Sequence, residues 1–267
     1  MVDLTGTLAH VYERPELPEL VFTDPEGNAI PYGHRWGADG PPKRTYSLTR
    51  HPERFAPLAD VANALVEHLE RTYDVDVRYT EGLPEDAPDT VRSAEQGQVR
   101  IARAATLLPR HDGCAPLVIA ETTFPSIVVA MGAAGEARAP ACGCDACDES
   151  LEDSAELLER LVFSVVEGRF QERYSWTDGI EITMGDLGGA SYSREPRHVA
   201  DKERVDALKQ SQRERHGRRW MPWPPRRDDA DGTWEPDAEP LRLWTREERE
   251  AAIEAALDRI RRRLRSA

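Results

Sequence analysis

The chain has 267 residues, 39% of them hydrophobic and 31% charged, and its 49 acidic against 35 basic side chains leave a formal net charge of −14. That length allows one large domain or two modest ones around a buried core, and the acidic excess opposes general affinity for phosphate backbones and anionic lipid. No apolar run approaches the roughly 18 residues of a membrane helix, and the acidic, proline-punctuated start MVDLTGTLAHVYERPELPEL lacks a basic-then-apolar signal pattern, so a soluble cytoplasmic protein without membrane association is expected.

The charge is unevenly spread. Residues 1–193 hold 16 basic and 33 acidic side chains, whereas residues 194–267 hold 19 basic and 16 acidic. This contrast suggests an acidic α+β body over 1–193 and a helical, basic tail over 194–267 that packs on it. The mean hydropathy of −0.63 is low, but the apolar residues are clustered at regular intervals, which argues against a disordered chain.

Residues 13–55 are punctuated by Pro and Gly and read as an extended arm, with Tyr32, Trp36, Tyr46 and Phe55 available to pin it to a core. Pro57 suits the first position of a helix, where its missing N–H costs nothing. From there Leu58, Ala62, Leu65, Leu69 and Tyr73 recur at three- and four-residue steps, the period of an amphipathic helix. Val75, Val77 and Tyr79 then alternate as in a half-buried strand. Further strands are expected around 99–109, 117–124 and 126–132, the last two forming an antiparallel hairpin across the Phe124-Pro125 corner. A second helix is expected from about Asp148 to Phe170, followed by a short strand in GIEITMGD that a glycine-rich turn, DLGGASYS, closes.

The segment from His198 to about Arg215 reads as a mostly polar helix, with Val199, Val205 and Leu208 as its apolar contacts. Five prolines prevent residues 217–240 from continuing it. A last amphipathic helix starts at Thr245, which pairs with Glu248 in a capping-box pattern, and carries a stripe from Ala252 to Leu264. That stripe is the natural surface for homodimerisation, unless it closes the protein's own core. Helix, strands, then helices imply an α+β fold with a mainly antiparallel sheet packed against two or more helices.

Chemistry concentrates in APACGCDACDES, where Cys142, Cys144 and Cys147 fuse a C-x-C to a C-x2-C just ahead of the second helix. These spacings bring sulfurs together without long loop closure, as a thiolate metal site requires, and Gly143 lets the backbone turn between two ligands. A tetrahedral zinc ion wants a fourth ligand. With the hairpin strand entering near Ala115–Leu117 beside the strand leaving near Gly132–Gly135, Cys114 or His111 would lie at the same end as the cluster and could complete it. Three readings stand together: a structural zinc knuckle, a redox or nucleophilic thiol at Cys144 or Cys147 beside a helix start, and a tight loop of small buried thiols with Asp145 as helix N-cap.

CGCDACDES, preceded by ETTFPSIVVAMG, resembles the signature of a bacterial protein family of unknown function, and YGHRWGADGPPKRTYSLTRHPERFAPL is similar to that family's other typical segment. The resemblance spans roughly residues 30–190 and implies that arm, hairpin and cysteine loop belong to one domain. It implies no activity and no catalytic residue.

Two other groupings are weaker. Arg35, Arg50 and Arg54 with Trp36 could form an anion-binding loop, or simply anchor the arm to the acidic body. Residues 203–227 carry eight basic against three acidic side chains around Trp220 and Trp223, a pattern that single-stranded nucleic acid can exploit. The acidic body and DDAD at 228–231 oppose it, so nucleic acid is not the expected partner. GDLGG at 185–189 matches neither phosphate-loop motif. The reading that follows is a non-enzymatic binding or interaction domain with a structural cysteine knuckle, either metal-based, with zinc as the candidate cofactor, or built on the thiols alone. The alternative is a thiol enzyme or redox protein using Cys144 and Cys147, and weak nucleic-acid binding through the tail ranks third.

Overall fold

The computed structural model describes residues 11–85, 87, 91–92, 99–186, 189–196 and 198–226. The acidic run at 228–231 and the segment expected to form the last amphipathic helix and a homodimer surface lie outside the described residues.

The chain is α+β, as the element order predicts. After two short 3-10 turns in the arm, at Lys43–Ser47 and Pro52–Phe55, helix α1 runs over Leu58–Thr72 with Pro57 at its N-cap. Strands β1 (Val75–Glu81), β2 (Ile101–Pro109), β3 (Leu117–Thr122), β4 (Ile127–Met131) and β5 (Gly135–Ala139) form an antiparallel meander with each strand beside the next. Helix α2 covers Leu151–Val166. Strands β6 (Phe170–Ser175), β7 (Gly179–Asp186) and β8 (Gly189–Glu195) make a second, three-stranded antiparallel sheet. Helix α3, Lys202–Glu214, follows, with Asp201 accepting hydrogen bonds from the N–H groups of Glu203 and Arg204 as its cap.

The five-stranded sheet is covered on both faces, which is why β3 and β4 read as near-continuous apolar runs. Leu117, Ile119, Ile127, Val129 and Met131 face α1 and α2 in the main core, whereas Val118, Ala120, Val128 and Ala130 pack with Val91 on the other side. Burying side chains of this size contributes roughly 1.5–3 kcal/mol each, so the two-sided sheet is the main stabilising block. Against the smaller sheet, Val205 and Leu208 of α3 pack on Ala134 and Ile180. Val199, expected among the apolar contacts of that helix, is instead exposed.

Several expectations change. Helix α2 stops at Val166 rather than near Phe170, because Gly168 takes a left-handed conformation (φ 70°) and Phe170 opens β6. A Cβ on Gly168 would also come within 2.7 Å of the Pro222 backbone nitrogen. The N-cap of α2 is Ser150, which accepts a hydrogen bond from Asp153 N, not Asp145. DLGGASYS is more than a closing turn, since Gly189 already pairs with Asp186 and the chain continues as β8. Strands β5 and β6 have no counterpart among the predicted elements.

The segment after α3 is tied into the body. Met221 N donates to Gly113 O, Trp223 N to Val166 O, and Arg226 N to Thr72 O, while Asp74 N donates to Pro224 O. Trp220 and Trp223 are 7% and 4% exposed and belong to the main core. The Trp223 indole donates to Ala115 O, and Gln171 bonds both the N–H and the carbonyl of Trp220. Two buried indoles leave no stacking platform at these positions, which removes the aromatic half of the single-strand-binding pattern.

Candidate metal centre

The register of the large sheet decides where the cysteines lie. Leu117 pairs with Met131 at one end of the β3–β4 hairpin, and Glu121 pairs with Ile127 at the other. The chain does not pass from Gly132 straight to the cysteines. It reverses into β5, which runs back along β4 until Ala139 pairs with Ile127. The cysteine loop therefore emerges at the Phe124-Pro125 end of the sheet, and a Cβ on Gly143 would lie 3.2 Å from the Phe124 ring. Gly143 also has φ 79°, a left-handed conformation that favours glycine here.

Cys142, Cys144 and Cys147 come together with their sulfurs all within 4.8 Å of one another. Cys144 is buried, while Cys142 and Cys147 are exposed. Neither Cys114 nor His111 belongs to this group. Both precede β3, at the opposite end of the hairpin, because β5 carries the chain away from them. Cys114 is a buried thiol beneath the tail segment, where its Sγ donates to Pro222 O at 3.4 Å and its backbone forms a bridge with Met221. The His111 Nδ1 accepts the Gly113 N–H at 3.1 Å.

The loop is held from two directions. From its own chain, the Glu149 carboxylate accepts the N–H groups of Ala141, Cys142 and Gly143 at 2.6, 3.0 and 2.7 Å. From the arm, Arg35 pairs with Asp148 and also donates to Asp145 O, and the Trp36 indole donates to the same carbonyl at 3.2 Å. Asp145, 1% exposed, accepts Arg50 N at 2.9 Å and donates its own N–H to Leu48 O. Arg54, 2% exposed, donates to Gly143 O at 3.2 Å and to the carbonyls of Arg50 and His51. Its guanidinium lies over the rings of Tyr32 and Phe55, each 4.1 Å from the centroid. Burial pulls this guanidinium below its ordinary pKa. The arm arginines thus act as anchors of the cysteine loop, with their charge directed at its carboxylates and carbonyls.

What remains uncommitted is sulfur. Burial pushes the Cys144 thiol up, but the N–H of Cys147, the thiols of Cys142 and Cys147, and the N–H of Ala146 all donate to it and hold it below the usual thiol value. Cys147 goes the other way, since burial, its donation to the two neighbouring sulfurs and their charge raise it to about 12. Cys144 therefore gives up its proton more readily than Cys147, and a bound cation would relieve the repulsion between thiolates.

The match that places the chain among known proteins runs over residues 18–227. It belongs to the family of unknown function DUF6226. No curated protein and no solved structure matches it. The family region is wider than the 30–190 resemblance, because it takes in α3 and the Trp220–Trp223 segment as well as the arm and cysteine loop. The family's description assigns no function, and the match does not establish a cysteine signature. Among the described residues, no helix is long and apolar enough to cross a membrane.

Sequence reasoning identified the three cysteines from their spacing but missed Glu149 and Asp148 as supports. Asp148 has a left-handed backbone (φ 53°), a conformation that Asp tolerates better than most residues. Only the DES step after Cys147 hinted at a turn there.

Proposed function

We propose that the protein is a non-enzymatic binding domain in which Cys142, Cys144 and Cys147 hold a structural zinc ion. The observation that carries this reading is the convergence of three sulfurs in one six-residue loop. Sulfurs this close suit a metal bound by thiolates. The loop is also pre-organised, since Glu149, Arg35 and Arg54 hold its backbone and Arg50 its Asp145 carboxylate without using a sulfur. Zinc fits the donor set because it favours thiolates in tetrahedral sites. The fourth position would be filled by a water or by a ligand other than Cys114 and His111, which the β5 reversal separates from the trio.

Metal analysis of protein purified without chelator tests the reading. About one zinc per chain is expected, falling sharply in Cys142→Ser and Cys144→Ser. Absence of metal, combined with failure to take up added zinc in reducing buffer, rejects it.

One observation favours a second reading. Cys144 is more acidic than Cys147 and has two sulfur neighbours, the arrangement of a redox pair. In metal-free protein under mild oxidant, a Cys144 disulfide that forms stoichiometrically and returns on reduction, with no zinc uptake, would favour that alternative.

A further inference from the structure

The smaller sheet carries a different kind of site. Between β6, β7 and the loop after α3 lies a cleft of about 390 Å³, lined by Glu172, Arg173, Glu181, Arg215, Arg218 and Arg219 among others. Both carboxylates are already engaged. Glu172, 5% exposed, accepts the N–H groups of Ala133 and Ala134 at 2.8 Å each and the Trp220 indole at 3.2 Å. Glu181 pairs with Arg173.

The arginines of the loop are not matched in the same way. Arg215 is 9% exposed and lies 3.8 Å over the Trp220 ring. Its Nε donates to Ser211 Oγ at 3.3 Å and its Nη1 to Arg218 O, but its buried Nη2 has no hydrogen-bond acceptor. Leaving such a group unsatisfied costs about 1–3 kcal/mol, which favours a rearrangement that brings it an acceptor. Arg218 and Arg219 stand exposed at the rim, and neither forms an ion pair among the described residues. Arg215, Arg218 and Arg219 thus line one cleft, where Glu181 pairs with Arg173 and Glu172, held by its N–H donors, also faces Arg215, in a protein whose overall charge repels anions.

We propose that this cleft binds a small phosphate-type oxyanion, with Arg215 making the buried contact and Arg218 and Arg219 completing the charge match. The planar guanidinium fork suits two oxygens of one phosphoryl group. A group bearing two or more charges makes use of more than one of the three cations. Stacking on Trp220 holds Arg215 in place before the ligand arrives, so little side-chain freedom is lost on binding. The site is remote in sequence from the cysteine loop and does not depend on metal there.

The test is calorimetric titration of the full chain with inorganic phosphate and with pyrophosphate at constant ionic strength, with acetate and citrate as carboxylate controls. Saturable binding of pyrophosphate is expected, weakened about tenfold or more by Arg215→Lys and by an Arg218→Ala/Arg219→Ala double variant. The double variant changes only exposed side chains, so its fold is checked by an unchanged melting curve. No saturable binding by the wild type, equal affinity in the double variant, or tighter binding of citrate than of pyrophosphate would each overturn the proposal. Binding of a single-stranded oligonucleotide without binding of free phosphate or pyrophosphate would overturn it too, by assigning the arginines to a polymer backbone.

Discussion

The cysteine loop and the arginine cleft solve the same problem in opposite senses. At the cysteine loop, cations arrive from the arm and end on the loop's own acceptors: Arg35 on Asp148, Arg50 beside Asp145, Arg54 on Gly143 O. Polar groups there are matched, and sulfur is left over. At the cleft, the carboxylates are matched first, Glu172 by backbone and indole N–H groups and Glu181 by Arg173. There one guanidinium nitrogen, Arg215 Nη2, is left without a hydrogen-bond acceptor. In both regions the surplus group marks the place for a ligand of opposite preference, a soft cation in one and an oxyanion in the other.

The largest way to break this contrast is to remove the buried anchor of the first region. Arg54→Met leaves the carbonyls of Gly143, Arg50 and His51 without that donor and is expected to cost about 3 kcal/mol in urea unfolding. Metal uptake should weaken with it, while pyrophosphate affinity of the folded fraction stays unchanged. A loss below about 1 kcal/mol would mean that the arm does not clamp the loop.

Gly132→Ala probes the second region. Gly132 has φ 59°, and a Cβ there would sit 2.5 Å from the Glu172 Oε1. Displacing a buried carboxylate while straining the backbone should cost about 2 kcal/mol, read as a lower melting temperature, with weaker pyrophosphate binding and normal zinc content. Glu149→Gln should be milder, about 1–2 kcal/mol, since an amide oxygen still accepts one of the three N–H groups. Its clearer signature is weaker zinc retention against a chromophoric chelator. Smallest is Cys114→Ala, within about 1 kcal/mol, with zinc stoichiometry unchanged. A halved zinc content in that variant would put Cys114 back among the ligands.

Much of the architecture was readable because its apolar residues keep one period. Leu58, Leu65 and Leu69 keep the helical spacing, and the runs around Ile119 and Val129 end at a Phe-Pro corner that can only be a turn. Strand β5, GEARA, was invisible because it is an edge strand whose middle residues are only partly buried. Strand β6, FQERYS, was hidden for a different reason: its inward residue after Phe170 is Glu172, so polarity reads as exposure although the side chain is buried and hydrogen-bonded. Arg54 and Arg215 were misleading in the same way, since a guanidinium is buried only when acceptors or aromatic faces from elsewhere surround it.

The sequence by itself determined that three sulfurs lie within reach of one another, because spacings of two and three residues cap their separation. It also determined the amphipathic helices and the central hairpin, each a local pattern of side chains. Only the tertiary structure decided which end of the sheet receives the cysteines, since a single reversal into β5 moves them the length of a strand away from Cys114 and His111. Likewise only long-range packing turned Trp220 and Trp223 inward and left Arg215 Nη2 without an acceptor. Covalent spacing governs the first kind of feature, whereas the second depends on which distant segment supplies the missing donor, acceptor or apolar face.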